Sequence, residues 1–539
     1  MKVIRLNGLQ LKLDDAEECL AKRAADALGI QTTDIASLTV IKKALDARRN
    51  RPPHFVYAVK LSLADTVVLQ EKMPVGMQIQ PFHGEPDLET PLAGPSGRLS
   101  GRLPVVVIGS GPAGLFAAYT LAISGLPVML LERGRPVEKR VADVQAFWQK
   151  GALNPQSNVL FGEGGAGTFS DGKLTSRTKN PYAGWVKKVL VEMGAPETIP
   201  TDTKAHIGTD KLREVIIHLR NKLIELGCVI QFEALVTDFI IRQGEIAAIV
   251  VNGRQEIKTD KVILAIGQSA DDTYRILHER GVKMEAKPFA MGLRVEHPQT
   301  LINGMQYGRW CKHPHLPPAE YFVTAGVSQL NRSVYTFCMC PGGQVIGCSA
   351  FPGFLITNGM SNSERSGEFA NSAVVVNVRV EDFADESGPL SGLAFRSLWE
   401  SKAFEAGGGN YFAPAQKLSE FVEDKSSGVV GRTSFLPGVK ATKLVDVLPK
   451  FVADALRDGI KQFDKKMPGF ISREAHLIGV ETRTSSPLRI CRESDSQSQN
   501  VRGLYPCGEG AGYAGGIISS ALDGVKAAKN VMAVINDCP

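Results

Sequence analysis

A glycine-rich turn is the first feature of this 539-residue sequence whose residue spacing points to chemistry. It reads Gly109-Ser110-Gly111-Pro112-Ala113-Gly114. In turns with this spacing, the first glycine makes the tight bend and the second lets the backbone approach a pyrophosphate. The third glycine lets a helix pack closely on a strand. Because free N–H groups at a helix start bind phosphate oxygens, we expect Pro112 and Ala113 to contact the ligand together with the glycines.

The elements around the turn fit this interpretation. Residues 105–108 are a short apolar, β-branched run typical of a buried parallel strand, and an apolar helical pattern follows the turn. Residues 128–131 form a second apolar run, which leads into Glu132 and Arg133. A carboxylate about 20 residues after the turn accepts hydrogen bonds from both ribose hydroxyls. The complete unit predicts dinucleotide binding, and the alternative is a glycine-rich turn in another kind of α/β protein.

Two later glycine-rich segments predict that the dinucleotide is FAD. Residues 161–178 hold too many glycines for a stable helix and predict a loop against a ligand or another backbone. Residues 503–528 predict a strand, a loop and a helix whose first N–H groups face the negative edge of a reduced flavin. The alternative is that these late glycines only allow close helix–sheet packing. The expected FAD contacts in these segments, and in a third glycine turn, are Gly164, Gly165, Thr168, Lys173, Gly267, Gly508, Glu509, Gly515, Gly516 and Ile517.

The longer motifs resemble a bacterial family of uncharacterised FAD-dependent dehydrogenases, within the glutathione-reductase-type FAD-binding flavoproteins. The resemblance covers nearly the whole chain, and it is carried by "LFGEGGAGTFSDGKLTSRT", "YTFCMCPGG", "TNGMS", "ANSAVVVNV" and "PCGEGAGYAGGIISSALDG". It implies bound FAD and a redox function, without naming a substrate.

Two further groups of side chains are candidates for redox or binding roles. Cys338 and Cys340 point to the same face of a regular strand, about 7 Å apart. They either form a redox pair near the flavin or are small buried hydrophobes. Arg483 and Arg489 either bind the flavin or an anionic substrate, or they lie on a solvated strand. Lys173 and Arg177 either stabilise a reduced flavin or lie on a loop rim.

The sequence predicts an α/β fold in which a Rossmann-type FAD-binding domain is assembled from discontinuous segments. Residues 1–95 form a small N-terminal α+β domain, which we expect to be ferredoxin-like, and Gly84 to Arg98 form a linker. Residues 100–275 are the first FAD-binding segments, residues 276–474 are an inserted mixed α+β cap, and residues 475–539 close the FAD-binding domain.

Composition limits the remaining classes of function. The net charge of +6 is small for this length, so nucleic-acid binding is not expected. Lys42, Lys43, Arg48, Arg49 and Arg51 form a basic cluster, which is either an RNA-contact patch or a solvated face. The nine cysteines lack paired CxxC spacing, and we expect a reducing cytoplasmic location and no metal site. No apolar run reaches the roughly 18 residues of a membrane span.

These observations predict an FAD-dependent oxidoreductase, a dehydrogenase or reductase, that uses one tightly bound FAD to pass hydride or electrons to an unidentified small molecule. NAD(P)H is a possible external reductant. A flavin monooxygenase, an RNA-associated flavoprotein using the N-terminal basic cluster, and a flavin-binding sensor remain as alternatives.

Overall fold

The computed structural model describes residues 2–48, 51–70, 73–82, 103–175, 178 and 180–537. The expected linker over residues 84–98, together with Arg49 and Arg177, lies outside the described residues. Over the described residues, no helix is both long enough and apolar enough to cross a membrane.

The N-terminal segment forms an antiparallel sheet, in the order β2-β3-β1-β4, with one described helix. Apolar residues of β1 alternate with polar ones, so that Ile4, Leu6, Leu9 and Leu11 are buried on either side of a bulge. This strand order and the antiparallel pairing agree with the expected ferredoxin-like fold, but among the described residues no second helix lies between β3 and β4. The elements are β1 (Lys2–Lys12), α1 (Cys19–Leu28), β2 (Ile35–Asp46), β3 (His54–Leu63) and β4 (Gln78–Pro81).

The N-terminal sheet is docked on the rest of the chain through β2. The Lys43 N–H donates to the Thr201 carbonyl (2.9 Å), and the Thr203 N–H donates to the Lys43 carbonyl (2.9 Å). Described cations of the basic cluster are paired with acids of the same domain: Lys43 with Glu17, and Arg48 and Arg51 with Asp46.

Residues 103–286 build most of the dinucleotide-binding part. Val105–Ile108, Val128–Leu131 and Val262–Leu264 run parallel, and valines of the first strand are almost fully buried, as the apolar pattern predicts. The elements are β5 (Val105–Ile108), α2 (Pro112–Ile123), β6 (Val128–Leu131), α3 (Val137–Lys150), α4 (Tyr182–Glu192), α5 (Thr209–Glu225), β7 (Val229–Gln231), β8 (Val236–Arg242), β9 (Glu245–Val251), β10 (Gln255–Lys258), β11 (Val262–Leu264), α6 (Asp271–Glu279) and β12 (Met284–Ala286).

Residues 289–481 form a large mixed sheet with helices packed on it. Its order is β14-β15-β17-β13-β20-β18-β19, with β16 paired to β15. The elements are β13 (Phe289–Pro298), α7 (Gln299–Tyr307), β14 (Thr324–Val327), β15 (Arg332–Gly347), β16 (Thr357–Met360), β17 (Phe369–Val378), α8 (Ser391–Gly407), β18 (Ala413–Lys417), α9 (Leu418–Val422), β19 (Val439–Ala441), α10 (Lys450–Lys466) and β20 (His476–Glu481).

The last segment returns to the parallel sheet, whose order is β22-β11-β5-β6-β7. A strand at residues 504–506 and a helix from Ile517 are where the sequence predicts them. The first and last helices of this part interlock, because a Cβ on Gly524 would lie 2.0 Å from the Ala113 carbonyl oxygen. The closing elements are β21 (Leu488–Ile490), β22 (Leu504–Pro506) and α11 (Ile517–Asp537).

The fold is therefore an α/β fold with a discontinuous Rossmann-type part, but two of the expected segment boundaries move. β20 hydrogen-bonds to β13 and β18, so the large sheet extends to Glu481 rather than stopping at residue 474. β12 pairs with β21, and α6 packs near β8, so the large sheet starts near residue 289 rather than at 276.

Candidate functional site

A deep cavity lies between the parallel sheet and the large mixed sheet. The carboxyl ends of β5, β6, β11 and β22 open into it, and residues after each of these strands line it. In open parallel sheets, ligands bind at this edge. The opposite wall comes from the large sheet and includes Phe337, Cys338, Asn358 and Glu481.

At one end of the cavity, the three glycines of the predicted turn have different surroundings. A Cβ on Gly109 would lie 2.4 Å from the Ala265 carbonyl oxygen, and one on Gly114 would lie 1.8 Å from the Gly109 carbonyl oxygen. These two glycines are therefore required by packing. A Cβ on Gly111 would make only an ordinary contact, 3.8 Å from the Gly165 Cα, so the described protein atoms leave room there. Gly111, Pro112 and Ala113 line the cavity, whereas Gly114 does not.

Glu132 ties three loops together at this end of the cavity. Its Oε2 accepts hydrogen bonds from the N–H (2.9 Å) and the hydroxyl (2.7 Å) of Ser110. Its Oε1 accepts from the N–H groups of Gly134 (2.9 Å) and Gly162 (3.0 Å). The side chain is buried and lines the cavity. Contact with a ribose stays a prediction, and the structure adds a positioning role that the sequence did not indicate.

Arg133 also lines the cavity, beside Glu132. It forms an ion pair with Asp272 (2.8 Å), and its guanidinium lies over the Phe161 ring, 3.9 Å from the centroid. Because this arginine is both stacked and ion-paired, it stabilises the cavity wall, and its charge is not available to bind a ligand.

Two of the predicted contacts, Gly164 and Thr168, do not line the cavity. The Thr168 hydroxyl donates to the Glu163 carbonyl (2.9 Å) and accepts from the buried Arg140 (3.1 Å). A Cβ on Gly164 would lie 2.2 Å from the Thr168 hydroxyl oxygen. Both residues therefore shape the short 3-10 helix Gly165–Phe169, whose other side faces the cavity through Gly165.

At the other end of the cavity, α11 begins with two glycines that face open space. A Cβ added at Gly515 or Gly516 would have no described atom within 4 Å. Helix–sheet packing therefore does not explain these glycines. Gly508 and Ile517 line the same cavity, as does Gly267, which likewise has no described atom within 4 Å of an added Cβ.

Glu509 and Gln268 form a polar pair in this region. The Gln268 Nε2 donates to the Glu509 carboxylate (2.8 Å) and to the Arg483 carbonyl (2.8 Å). Burial raises the pKa of the Glu509 carboxyl to about 7. The Gln268 Oε1 is buried without a hydrogen-bond partner among the described residues. Such an orphan acceptor indicates a missing donor, and the ribityl hydroxyls of a flavin would supply one.

The wall from the large sheet carries buried charges that the sequence analysis missed. Arg294 is fully buried and pairs with Glu481 (2.9 Å), while it also donates to Asn371 (2.7 Å) and Asn358 (3.2 Å). Arg483 pairs with the buried Glu400 (2.9 Å), so it is neither free nor solvated. The alternation of side chains along β13 predicts the face on which Arg294 lies. It does not predict the partner, Glu481, which is 187 residues away in the sequence.

Lys173 lies where the glycine loop meets this wall. It pairs with Asp171 (2.7 Å), which also accepts from Arg365 (2.5 Å). Burial acts to raise the pKa of Asp171, but these two cations outweigh it and hold that pKa at about 2. The Lys173 Nζ is 3.9 Å from the Cys340 sulfur.

Cys338 and Cys340 are not on a regular strand. The pairing of β15 with β17 is interrupted between Phe337 and Cys340, and Cys338 has φ 48°. At this bulge the Cys340 thiol donates to the Cys338 carbonyl oxygen (3.4 Å). His206 and His297 hydrogen-bond to backbone carbonyls, as structural histidines do.

Two family models that match this chain agree with a flavin site. Residues 288–484 match the family described as "FAD-dependent protein, C-terminal domain-like", residues 104–155 match "FAD binding domain", and residues 3–62 match a domain of unknown function. Similar solved structures include a triple mutant of the flavin-dependent brominase Bmp2, at 11% identity, with 81% of each chain covered and a TM-score of 0.36. A geranylgeranyl bacteriochlorophyll reductase-like protein of Thermoplasma acidophilum is 14% identical, over 80% of this chain and 79% of that one, with a TM-score of 0.35.

A full-length relative gives the family. An uncharacterised protein of Clostridium beijerinckii is 43% identical over 535 residues, which cover 98% of each chain. With the match to an FAD-binding domain at the glycine turn, the chain belongs to an uncharacterised bacterial family of FAD-dependent proteins.

Proposed function

We propose that the protein is an FAD-dependent oxidoreductase of the glutathione-reductase type that holds one FAD along the cavity. The observation that carries this proposal is that the pyrophosphate turn and the glycine start of α11 open into the same cavity. A dinucleotide is extended, and FMN or a mononucleotide would leave one of these two ends without a ligand group.

In this proposal, the phosphates lie on the N–H groups at Gly111 to Ala113, where the N-terminal dipole of α2 favours negative charge. The ribose lies at Glu132, and the N–H groups of Gly516 and Ile517 face the flavin pyrimidine edge, whereas the Gly515 N–H donates to the Ser519 hydroxyl (3.1 Å). Gly165, Lys173 and Gly267 line the space between these ends. Gly164 and Thr168 support the loop from behind.

FAD supplies two-electron redox chemistry when it is bound. The chain's own groups orient it and manage protons. Because the pKa of Glu509 is about 7, this carboxyl can hold or release a proton near neutral pH, and Gln268 fixes its position. Phe337 and Asn358, on the wall from the large sheet, lie where a small organic substrate would contact the cofactor.

The first test is cofactor content and reduction. Purified protein should carry flavin that denaturation releases as FAD rather than FMN, and apoprotein should regain flavin absorbance with FAD. Anaerobic mixing with NADH and with NADPH then identifies the external reductant. Protein that is colourless and does not take up FAD would contradict the proposal.

A further inference from the structure

Two cysteines on the bulge of β15 have an arrangement that a buried structural cysteine does not need. Cys338 lines the cavity, whereas the intervening Met339 does not. The Cys338 backbone adopts a left-handed conformation that non-glycine residues rarely take. The Cys340 thiol donates to the Cys338 carbonyl oxygen (3.4 Å), so the bulge folds the Cys340 side chain back onto its neighbour. A strained backbone that brings two thiols together at a cavity is a feature to be explained by function.

The charges around the pair are also specific. The Lys173 Nζ is 3.9 Å from the Cys340 sulfur, and the Arg294 guanidinium donates to the Cys338 carbonyl (3.3 Å). Each cation has an acidic partner, Asp171 and Glu481 respectively. The pair therefore lies beside two cations, each of which is held in place by an acidic partner.

The two thiols differ in acidity because of this arrangement. The neighbouring Cys340 thiol, together with Lys173 and Arg294, lowers the pKa of Cys338 in spite of burial. The Cys338 thiol, followed by burial, raises the pKa of Cys340. One sulfur is thus held as a thiolate while its neighbour keeps its proton, which is the division of roles in thiol–disulfide exchange.

Cys348 provides an internal comparison. It also lines the cavity, but its sulfur contacts the Ile356 carbonyl (3.7 Å), and burial raises its pKa. Arg483 and Arg294 also act on Cys348, but their partners Glu400 and Glu481 oppose them and burial outweighs both cations. Cys348 therefore fits the structural role that Cys338 and Cys340 do not.

We propose that Cys338 and Cys340 form a reversible disulfide that exchanges two electrons with the flavin in the same cavity. In the oxidising direction the two thiols lose two protons and two electrons as the S–S bond forms, and oxidised FAD takes up both to become reduced FAD. In the reverse direction the disulfide accepts two electrons and two protons and the S–S bond breaks. The exchange rests on the proposed function, whereas formation of the disulfide does not.

Formation of the bond is tested without FAD. Wild-type protein is equilibrated in buffers of oxidised and reduced dithiothreitol. It is then denatured, its free thiols are alkylated, and the masses of its proteolytic peptides are measured by mass spectrometry. Under oxidising buffer we expect Cys338 and Cys340 to escape alkylation, with a combined mass two hydrogen atoms below that of the two free thiols. Cys348 should still be alkylated after denaturation. Alkylation of both cysteines after oxidation would overturn the proposal.

Electron exchange is tested by anaerobic dithionite titration of the FAD-loaded protein. Wild type should take up four electrons per flavin, two for each redox group, and Cys338→Ser and Cys340→Ala should take up two. Cys311→Ser, a half-buried cysteine that does not line the cavity, is the matched control and should still take up four. Two electrons in a wild type that forms the disulfide would mean that the pair does not communicate with FAD. Absence of flavin would instead contradict the proposed function, while peptide mapping would still decide on the disulfide.

Discussion

The two walls of the cavity differ in composition, because one is formed mainly by backbone groups and the other by side chains. The wall from the parallel sheet is backbone: glycines, N–H groups and a carboxylate whose oxygens accept bonds from Ser110 and nearby N–H groups. The wall from the large sheet is made of side chains, among them Phe337, Glu481 and Arg483. The partners of the two charged groups, Arg294 and Glu400, are buried and do not line the cavity. Backbone N–H groups suit a cofactor, whereas a wall of side chains can differ from one protein to the next, so we expect it to select the substrate.

Breaking the charged wall should have the largest effect. Arg294→Met leaves Glu481 buried and without its cation, which costs about 3–5 kcal/mol of unfolding free energy. Chemical denaturation measures the loss. The double variant Arg294→Met with Glu481→Leu removes both charges and should recover most of it. A single variant as stable as wild type would show that the pair is not needed to hold this wall.

On the backbone wall, Gly111→Val should remove cofactor binding without unfolding the protein. Gly111 has φ −72° and ψ −179°, which valine adopts readily, and a Cβ there has room among the described atoms. The branched side chain would instead fill the space for the pyrophosphate, so FAD affinity should fall by at least a hundredfold, about 3 kcal/mol. Equilibrium binding of FAD to apoprotein measures it, and Gly111→Ala should give a smaller loss. Full flavin content in Gly111→Val would mean that phosphate does not bind here.

Gly515→Ala, at the other end of the wall from the parallel sheet, should lower FAD affinity less than Gly111→Val. The added methyl group would point into open space, so folding should be unchanged while FAD affinity falls roughly tenfold, about 1.4 kcal/mol. Gly304→Ala is the control, because its Cβ also meets open space but it does not line the cavity. Proline is unsuitable at the neighbouring Gly516, whose φ of 126° lies far from the proline value. Equal affinity in the two alanine variants would place the flavin ring elsewhere.

The smallest expected effect is a shift in thiol acidity where the two walls meet. Lys173→Met removes a cation that lowers the pKa of the Cys338 thiol, so that pKa should rise. The pH dependence of Cys338 alkylation measures it: the midpoint of the rate profile should lie at higher pH in the variant than in the wild type. A midpoint unchanged in Lys173→Met would assign the low pKa to the neighbouring thiol and Arg294 alone.

The same contrast explains which parts of the molecule the sequence predicts. The strands and helices around Gly109 to Gly114 and around Gly515 lie where the sequence places them, because each glycine there acts on its near neighbours in the chain. Contact of Gly164 and Thr168 with the ligand stays a prediction, but neither residue lines the cavity, because a glycine-rich loop does not reveal which of its sides is exposed. Arg294 and Glu400 were missed because their partners come from distant strands. β20 was assigned to the wrong segment for the same reason, as its pairing with β13 and β18 is not local.

The interlocked ends of the parallel sheet constrain how the protein acquires its cofactor during synthesis. β22 completes the sheet next to β11, and α11 packs so closely on α2 that Gly524 touches the Ala113 backbone. A ribosome releases the chain from the N-terminus, so the glycine turn at residues 109–114 emerges about 400 residues before its last supporting helix. Until residues 504–537 leave the exit tunnel, the first part of the site has an unpaired strand edge and an uncovered helix. We therefore expect FAD to bind only after residues 504–537 have been synthesised, and a protein truncated before α11 should carry no flavin.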